Sequence, residues 1–305
     1  MDPKLDPTLH TLYPGFEHRR VEVEPGITIA ASHGGGGPPL LLLHGHPQTR
    51  AIWHRVAPAL ARHFSLVLCD LRGYGDSSKP PGAPDHANYS KRRMAADVHA
   101  VMLSLGHPRY AVLAHDRGAR VAHRLAVDQP AAVTRLVLLD IAPTLAMYEQ
   151  ADQDFARLYW HWFFLIQPAP LPERLIEADP RAYLRDVMRR RGFDGFDARA
   201  WSEYERCLAL PGAAHGTCED YRAAATIDLE HDRADRDAGV RVQQPLLVLW
   251  GLHGVVQRCF QPLADWHRVA ADVQGRALPC GHYIPEEAPQ ALLDAALPFL
   301  RGGPA

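Results

Sequence analysis

The sequence predicts an α/β fold, a mostly parallel, doubly wound sheet interrupted by an inserted helical cap. Short runs rich in Leu and Val recur at Leu40 to His44, Ser65 to Asp70, Tyr110 to His115, Leu136 to Asp140 and Leu246 to Gly251. Continuous apolar runs of this length are what a sheet covered on both faces requires. Between them lie helical patterns, Ser90 to Leu105 with Met94, Val98 and Met102 four apart, and Arg117 to Gln129. A third observation predicts the cap. From Pro143 to about Asp237 the strand signal gives way to aromatic-rich helical segments such as Asp152 to Gln167 and Arg181 to Arg191, and Gln243-Gln244-Pro245 then restarts a strand. The expected organisation is a first core part at 1–145, a cap at 146–237 between the sixth and seventh strands, and a second core part at 238–305.

Composition narrows the function classes. With 47% hydrophobic and 22% charged residues in a chain of 305, there is ample apolar side chain for a large core. Lys and Arg number 33 against 35 Asp and Glu, a formal charge of -2 with no like-charged run, so a nucleic-acid partner held by a global basic field is not expected. Apolar stretches fall short of the roughly 20 residues of a membrane-spanning helix, and the polar opening MDPKLDPTLHTLYPG lacks the layout of an export signal. A cytoplasmic location is the expectation. The five cysteines, Cys69, Cys207, Cys218, Cys259 and Cys280, are scattered without a C-x-x-C pair and read as reduced thiols.

In open α/β sheets ligands bind beyond the carboxyl ends of the strands, so the polar residues there are the candidates. Ala114-His115-Asp116-Arg117-Gly118 follows one strand and opens a helix, the context of a nucleophile elbow. Its central side chain is a carboxylate, which attacks carbon in line and forms an ester that water must then cleave. Taken alone, such an Asp would more often be a helix cap. His44-Gly45-His46-Pro47 places the amide of His46 where, with the amide of Arg117, it can form an oxyanion hole. Asp70-Leu71-Arg72-Gly73-Tyr74-Gly75-Asp76-Ser77 reads as a structural turn at the same rim. Gly281-His282-Tyr283 follows the last strand-like segment, Arg276 to Pro279. Nucleophile, acid, histidine is the chain order of triads on such folds. Asp140 ends a strand between the two, whereas Trp250-Gly251-Leu252-His253 offers no acid, so Asp140 is the candidate to orient His282 as the base.

The set HGHPQTR, DLRGYGDSS, AHDRGAR, LLDIAPT, YWHWFF, EDYRA and CGHYIPEEAP, spread from about residue 16 to the C-terminus, resembles the haloacetate dehalogenases, fluoroacetate dehalogenase among them, within the α/β-hydrolase superfamily. The resemblance implies an α/β-hydrolase fold and hydrolysis of a small 2-haloacid, fluoroacetate or chloroacetate, to glycolate and halide through an aspartyl ester. It implies that Asp116 is the nucleophile, His282 the base and Asp140 its partner. By the same resemblance Arg117 and Arg120 bind the substrate carboxylate, His161, Trp162 and Tyr221 bind the halide, and the chain is a homodimer. No cofactor or metal is implied, since water and the triad complete the cycle. One departure stands out. Where the family usually has an aromatic residue after His44-Gly45, this chain has His46, which keeps the backbone N–H but changes the polarity of the pocket.

The chemistry of the residues agrees. Arg117 and Arg120 are three apart at the start of one helix and share a face, and a guanidinium grips a carboxylate through parallel N–H bonds. Imidazole, indole and phenol are neutral donors suited to a halide that gains charge in the transition state. The plainer alternatives are a surface ion pair for Arg120 and cap packing for Trp162 and Tyr221. Among competing functions, a haloalkane dehalogenase would carry Trp where this chain has Arg117. An epoxide hydrolase could use the same triad with Tyr159 and Tyr221 as donors, and a catalytically silent binding protein on this fold would commonly lack a triad member.

Overall fold

The computed structural model describes residues 8–189 and 192–303. Eight strands form one sheet: β1 (Glu17–Glu24), β2 (Ile27–Gly35), β3 (Pro39–Leu43), β4 (Ser65–Cys69), β5 (Tyr110–His115), β6 (Val133–Leu139), β7 (Leu246–Gly251) and β8 (Val273–Leu278). They lie in the order β1-β2-β4-β3-β5-β6-β7-β8. The strands from β4 to β8 in that order are parallel, while β1 and β2 add an antiparallel edge. The apolar runs are buried on both faces because successive side chains point to opposite sides. Leu40, Leu42, Leu113 and Leu249 enter one core with Trp53 and Phe299, and Leu41, Leu43, Val112 and Val248 enter the other with Met94 and Leu125.

Sequence pattern and structure differ at two places. The hairpin of β1 and β2 is absent from the apolar runs because EHRRVEVE is an edge strand of half-exposed, mostly polar residues, turning through Gly26 at φ +77°. The single helical segment expected from Asp152 to Gln167 is broken at Tyr159 (φ −108°, ψ 38°) into Gln153–Leu158 and Trp160–Leu165. An unbroken helix turns roughly 200° between residues two apart and would set Tyr159 and His161 on opposite faces. The break lets Tyr159, His161 and Trp162 all be buried. The segment expected from Arg181 to Arg191 is the helix Pro180–Arg189, and its last two positions lie outside the described residues.

Helices occupy the chain between β6 and β7, from Thr144–Glu149 to Ile227–Asp237. Among them are Ala198–Leu208 and Ala213–Ala225. No helix among the described residues is long and apolar enough to cross a membrane.

Candidate active site

The loops leaving the carboxyl ends of β3, β5, β6 and β8 bring His46, Asp116, Asp140 and His282 together. Asp116 is the first residue of the helix Asp116–Asp128 and adopts φ +46°, a left-handed conformation strained for a residue with a side chain. Close packing holds it there. A Cβ on Gly118 would come within 2.4 Å of the His44 carbonyl oxygen, and one on Gly45 within 2.3 Å of Asp116 Cβ. The elbow therefore needs glycine at both positions. The His46 amide donates to Asp116 Oδ1 at 2.9 Å. Arg117 follows in the first turn, where helix amides have no intrahelical partner.

His282 lies between two carboxylates. Its Nδ1 is 2.5 Å from Asp140 Oδ2, and its Nε2 is 3.9 Å from Asp116 Oδ2. Asp140, at φ +51°, also accepts the Gly251 amide on Oδ1 at 2.9 Å. Tyr159 Oη stands 3.5 Å from His282 Nδ1. Burial pushes Asp116 towards the neutral acid, but His282, His115, Arg120 and Arg117 outweigh it and hold the carboxyl well below the usual carboxylate range. The group at the elbow is thus an ionised carboxylate.

The two arginines are buried beside it, and their side chains are already partly engaged. Arg117 donates from Nε to Asp220 Oδ2 at 2.8 Å and from Nη2 to Asp220 Oδ1 at 2.9 Å, and its guanidinium lies over Tyr221, Cζ 4.0 Å from the ring centroid. Arg120 donates from Nη1 to Thr144 Oγ1 at 2.9 Å and to the Ala142 carbonyl at 3.2 Å, and lies over Trp162 at 4.8 Å. Among the described residues the surface ion pair considered for Arg120 is not formed. Buried Arg117 Nη1 and Arg120 Nε have no hydrogen-bond partner among the described residues.

His161, Trp162 and Tyr221 meet around the same space. The Tyr221 ring centroid is 5.9 Å from His161 and 6.1 Å from Trp162. Burial and the nearby Asp116 charge keep the Tyr221 phenol protonated, well above its ordinary pKa. A cleft of about 350 Å³ is lined by Tyr159, His161, His253, Gly281 and His282 among others.

Residues 38–289 match the family model described as alpha/beta hydrolase fold. The chain belongs to the α/β-hydrolase family. It is 47% identical over 281 residues to fluoroacetate dehalogenase of Burkholderia sp., covering 91% of each chain, and 35% identical to the soluble epoxide hydrolase of a Corynebacterium species over 87% of this chain and 91% of that one. The crystal structure of an α/β-hydrolase protein from Nostoc sp. PCC 7120 superposes with a TM-score of 0.92 at 52% identity, covering 94% of this chain and 99% of that one. The resemblance carried by the motifs is therefore borne out at the level of family and fold.

Sequence reasoning missed several residues of this hydrolase's site. The ring of His46 joins the aromatic cluster, 5.4 Å from the Tyr221 centroid and 6.0 Å from His161, with Nε2 3.2 Å from Tyr183 Oη. Asp220 was visible only as part of EDYRA, adjacent to Tyr221. Tyr74, read as part of a structural turn, donates its hydroxyl to Asp220 Oδ2 at 2.6 Å. An acid one residue from an expected ligand was the available signal for Asp220.

Proposed function

We propose that this hydrolase cleaves the carbon–halogen bond of a small 2-haloacid, fluoroacetate or chloroacetate, giving glycolate and halide. The observation that carries the reading is a buried, ionised carboxylate at the elbow, facing His282 on one side and two arginines with unpartnered N–H groups on the other. The 47% identity to a fluoroacetate dehalogenase supports the same substrate class.

In this mechanism Arg117 and Arg120 hold the substrate carboxylate and offset its repulsion from Asp116. Asp116 Oδ2 attacks the α-carbon while the carbon–halogen bond breaks, and His161, Trp162 and Tyr221 donate hydrogen bonds to the departing halide. His282 Nε2 then takes a proton from water, and the hydroxide adds to the Asp116 carboxyl carbon. The charge that develops on Oδ1 meets the amides of His46 and Arg117. Asp140 stabilises the imidazolium, which returns its proton to the leaving glycolate oxygen. The helical segment 146–237 serves as the cap, contributing His161, Trp162 and Tyr221. The chain acts as a cytoplasmic homodimer, which light scattering of the purified protein tests for its dimeric part.

A second reading is epoxide hydrolysis by the same triad, favoured by Tyr159 beside His282 and Tyr221 near Asp116. A panel of fluoroacetate, chloroacetate, an epoxide and a haloalkane separates the two. Halide release from the haloacids at rates far above diol formation from the epoxide is the expected result, and the opposite order overturns the haloacid assignment.

A further inference from the structure

We infer that Asp220 is a positioning residue of the carboxylate site, holding one edge of Arg117 so that Nη1 is left to meet an acid shared with Arg120 Nε. The inference deepens the haloacid reading and rests on it for the identity of that acid.

Asp220 is fully buried on the helix Ala213–Ala225. Its carboxylate receives Arg117 Nε and Nη2, its backbone carbonyl receives Nη2 again at 2.8 Å, and Tyr74 Oη and Lys91 Nζ approach from the other side. Tyr221, the next residue, covers the face of the same guanidinium. Edge and plane of Arg117 are thus both fixed from one helical turn. Of the five guanidinium N–H groups, those on Nε and Nη2 face Asp220, and those on Nη1 are left.

Arg120 is held in a complementary way. Thr144 and the Ala142 carbonyl take Nη1, Met147 Sδ lies 3.0 Å from Nη2, and Nε is left. A buried donor without a partner is costly, and a charged one more so. Two such groups on neighbouring arginines, both acting on the charge of Asp116, fit one carboxylate that spans them with an oxygen to each. The grip is therefore one N–H site from each arginine, in place of a two-pronged fork from either.

The division extends to charge. Lys91 pairs with Asp220 and lies 3.5 Å from Asp228, so Arg117 and Lys91 face two acids. Among the described residues Arg120 makes no ion pair, and it is the cation left for an incoming anion. This gives a discriminating sign. If Asp220 were merely a counter-charge, neutralising it would leave the site more positive, and small acids would bind more tightly. If Asp220 aims Arg117, the same change loosens the acid despite the gain in positive charge.

The test is calorimetric titration of the full chain with sodium acetate, alongside chloroacetate kinetics. Asp220→Asn is expected to raise the acetate Kd about tenfold, the loss of one charge-assisted bond, and to raise KM for chloroacetate similarly with kcat within about twofold. A lower or unchanged Kd overturns the inference, as does a wild type that binds no acetate. Asp220→Glu serves as the second variant, because it keeps the charge and moves the carboxylate by one methylene. It is expected to bind acetate several-fold more weakly, and wild-type affinity in it also overturns the inference. The two readings fail separately. A wild type that releases no halide from any haloacid, yet loses acetate affinity in both variants, ends the haloacid reading and leaves Asp220 as the positioning residue.

Discussion

Asp140 Oδ2 lies 2.5 Å from Nδ1 of His282, which fixes the imidazole with Nε2 turned to the elbow. In the proposed mechanism His282 acts as the base only after the carbon–halogen bond has broken. His282→Asn is therefore expected to complete alkylation and stall, and intact-protein mass spectrometry after exposure to chloroacetate should show an adduct on Asp116. Asp140→Asn should slow the same step by about 10⁴-fold through the wrong tautomer. A His282→Asn protein that neither turns over nor carries an adduct contradicts this order of events.

If His161, Trp162 and Tyr221 donate to the halide as proposed, they should discriminate between halides. Fluoride concentrates its developing charge, whereas chloride spreads it and leaves more readily. Trp162→Phe keeps most of the ring volume and deletes the N–H. Losing one fixed donor in a water-excluded site costs about 3 kcal/mol, roughly a hundredfold in rate, and the loss should fall on fluoroacetate far more than on chloroacetate. His161→Asn and Tyr221→Phe should behave alike. The ratio of the two turnover rates at saturation is the measurement, and equal losses on both substrates would assign these residues to packing.

Gly45 packs directly against Asp116. An added Cβ would lie 2.3 Å from Asp116 Cβ and 2.6 Å from Oδ1, so Gly45→Ala must displace either the carboxylate or the His46 amide that holds it. A misplacement of this size costs about 10²-fold in rate. Activity should fall while the folded content seen by circular dichroism stays near wild type. An active Gly45→Ala enzyme would mean that the elbow is looser than described.

Glu286 links the pH dependence of stability to a contact between the sheet's loops and the helices that follow β6. It is fully buried, accepts Gln48 Nε2 at 2.5 Å and Tyr204 Oη at 3.2 Å, and burial pushes its pKa up to about 8. Tyr204 belongs to the helix Ala198–Leu208, within the segment between β6 and β7. The folded chain thus holds the proton more tightly than the unfolded chain, whose Glu titrates near roughly 4.3. The stabilisation is complete below that value and is lost as pH rises towards about 8. Glu286→Gln keeps the shape without the titration, so its thermal midpoint should fall less than wild type between pH 5 and pH 8. Parallel pH profiles in the two proteins contradict this assignment.

The sheet was legible because both faces are buried. Leu40 to His44 and Leu246 to Gly251 carry an uninterrupted apolar signal that surface strands such as β1 lack. The meeting of Asp116, Asp140 and His282 was legible because each follows the carboxyl end of a strand, and chain order then pairs Asp140 with His282. The partners of Arg117 were not. Asp220 lies on a helix and Tyr74 on a loop far apart in sequence, and nothing local in either segment indicates that Tyr74 donates to the carboxylate that holds the Arg117 guanidinium. The sequence shows that the His46 ring changes the polarity of the pocket, but its neighbours Tyr183 and Tyr221 are hidden because they come from separate helices. The break at Tyr159 was hidden for a different reason. The aromatic residues on both sides of it fit a helical pattern, and only packing decides that Tyr159, His161 and Trp162 all turn inward.

The central claim is an ester on Asp116, and a single turnover in heavy-oxygen water tests it most directly. With enzyme in excess over chloroacetate, water that attacks the Asp116 carboxyl carbon leaves its oxygen on the protein. Peptide mass analysis should then find one heavy oxygen in the peptide containing Asp116 and none in the glycolate released. Heavy oxygen in the glycolate, with Asp116 unlabelled, would mean that water attacks the α-carbon itself, and the covalent account would be wrong.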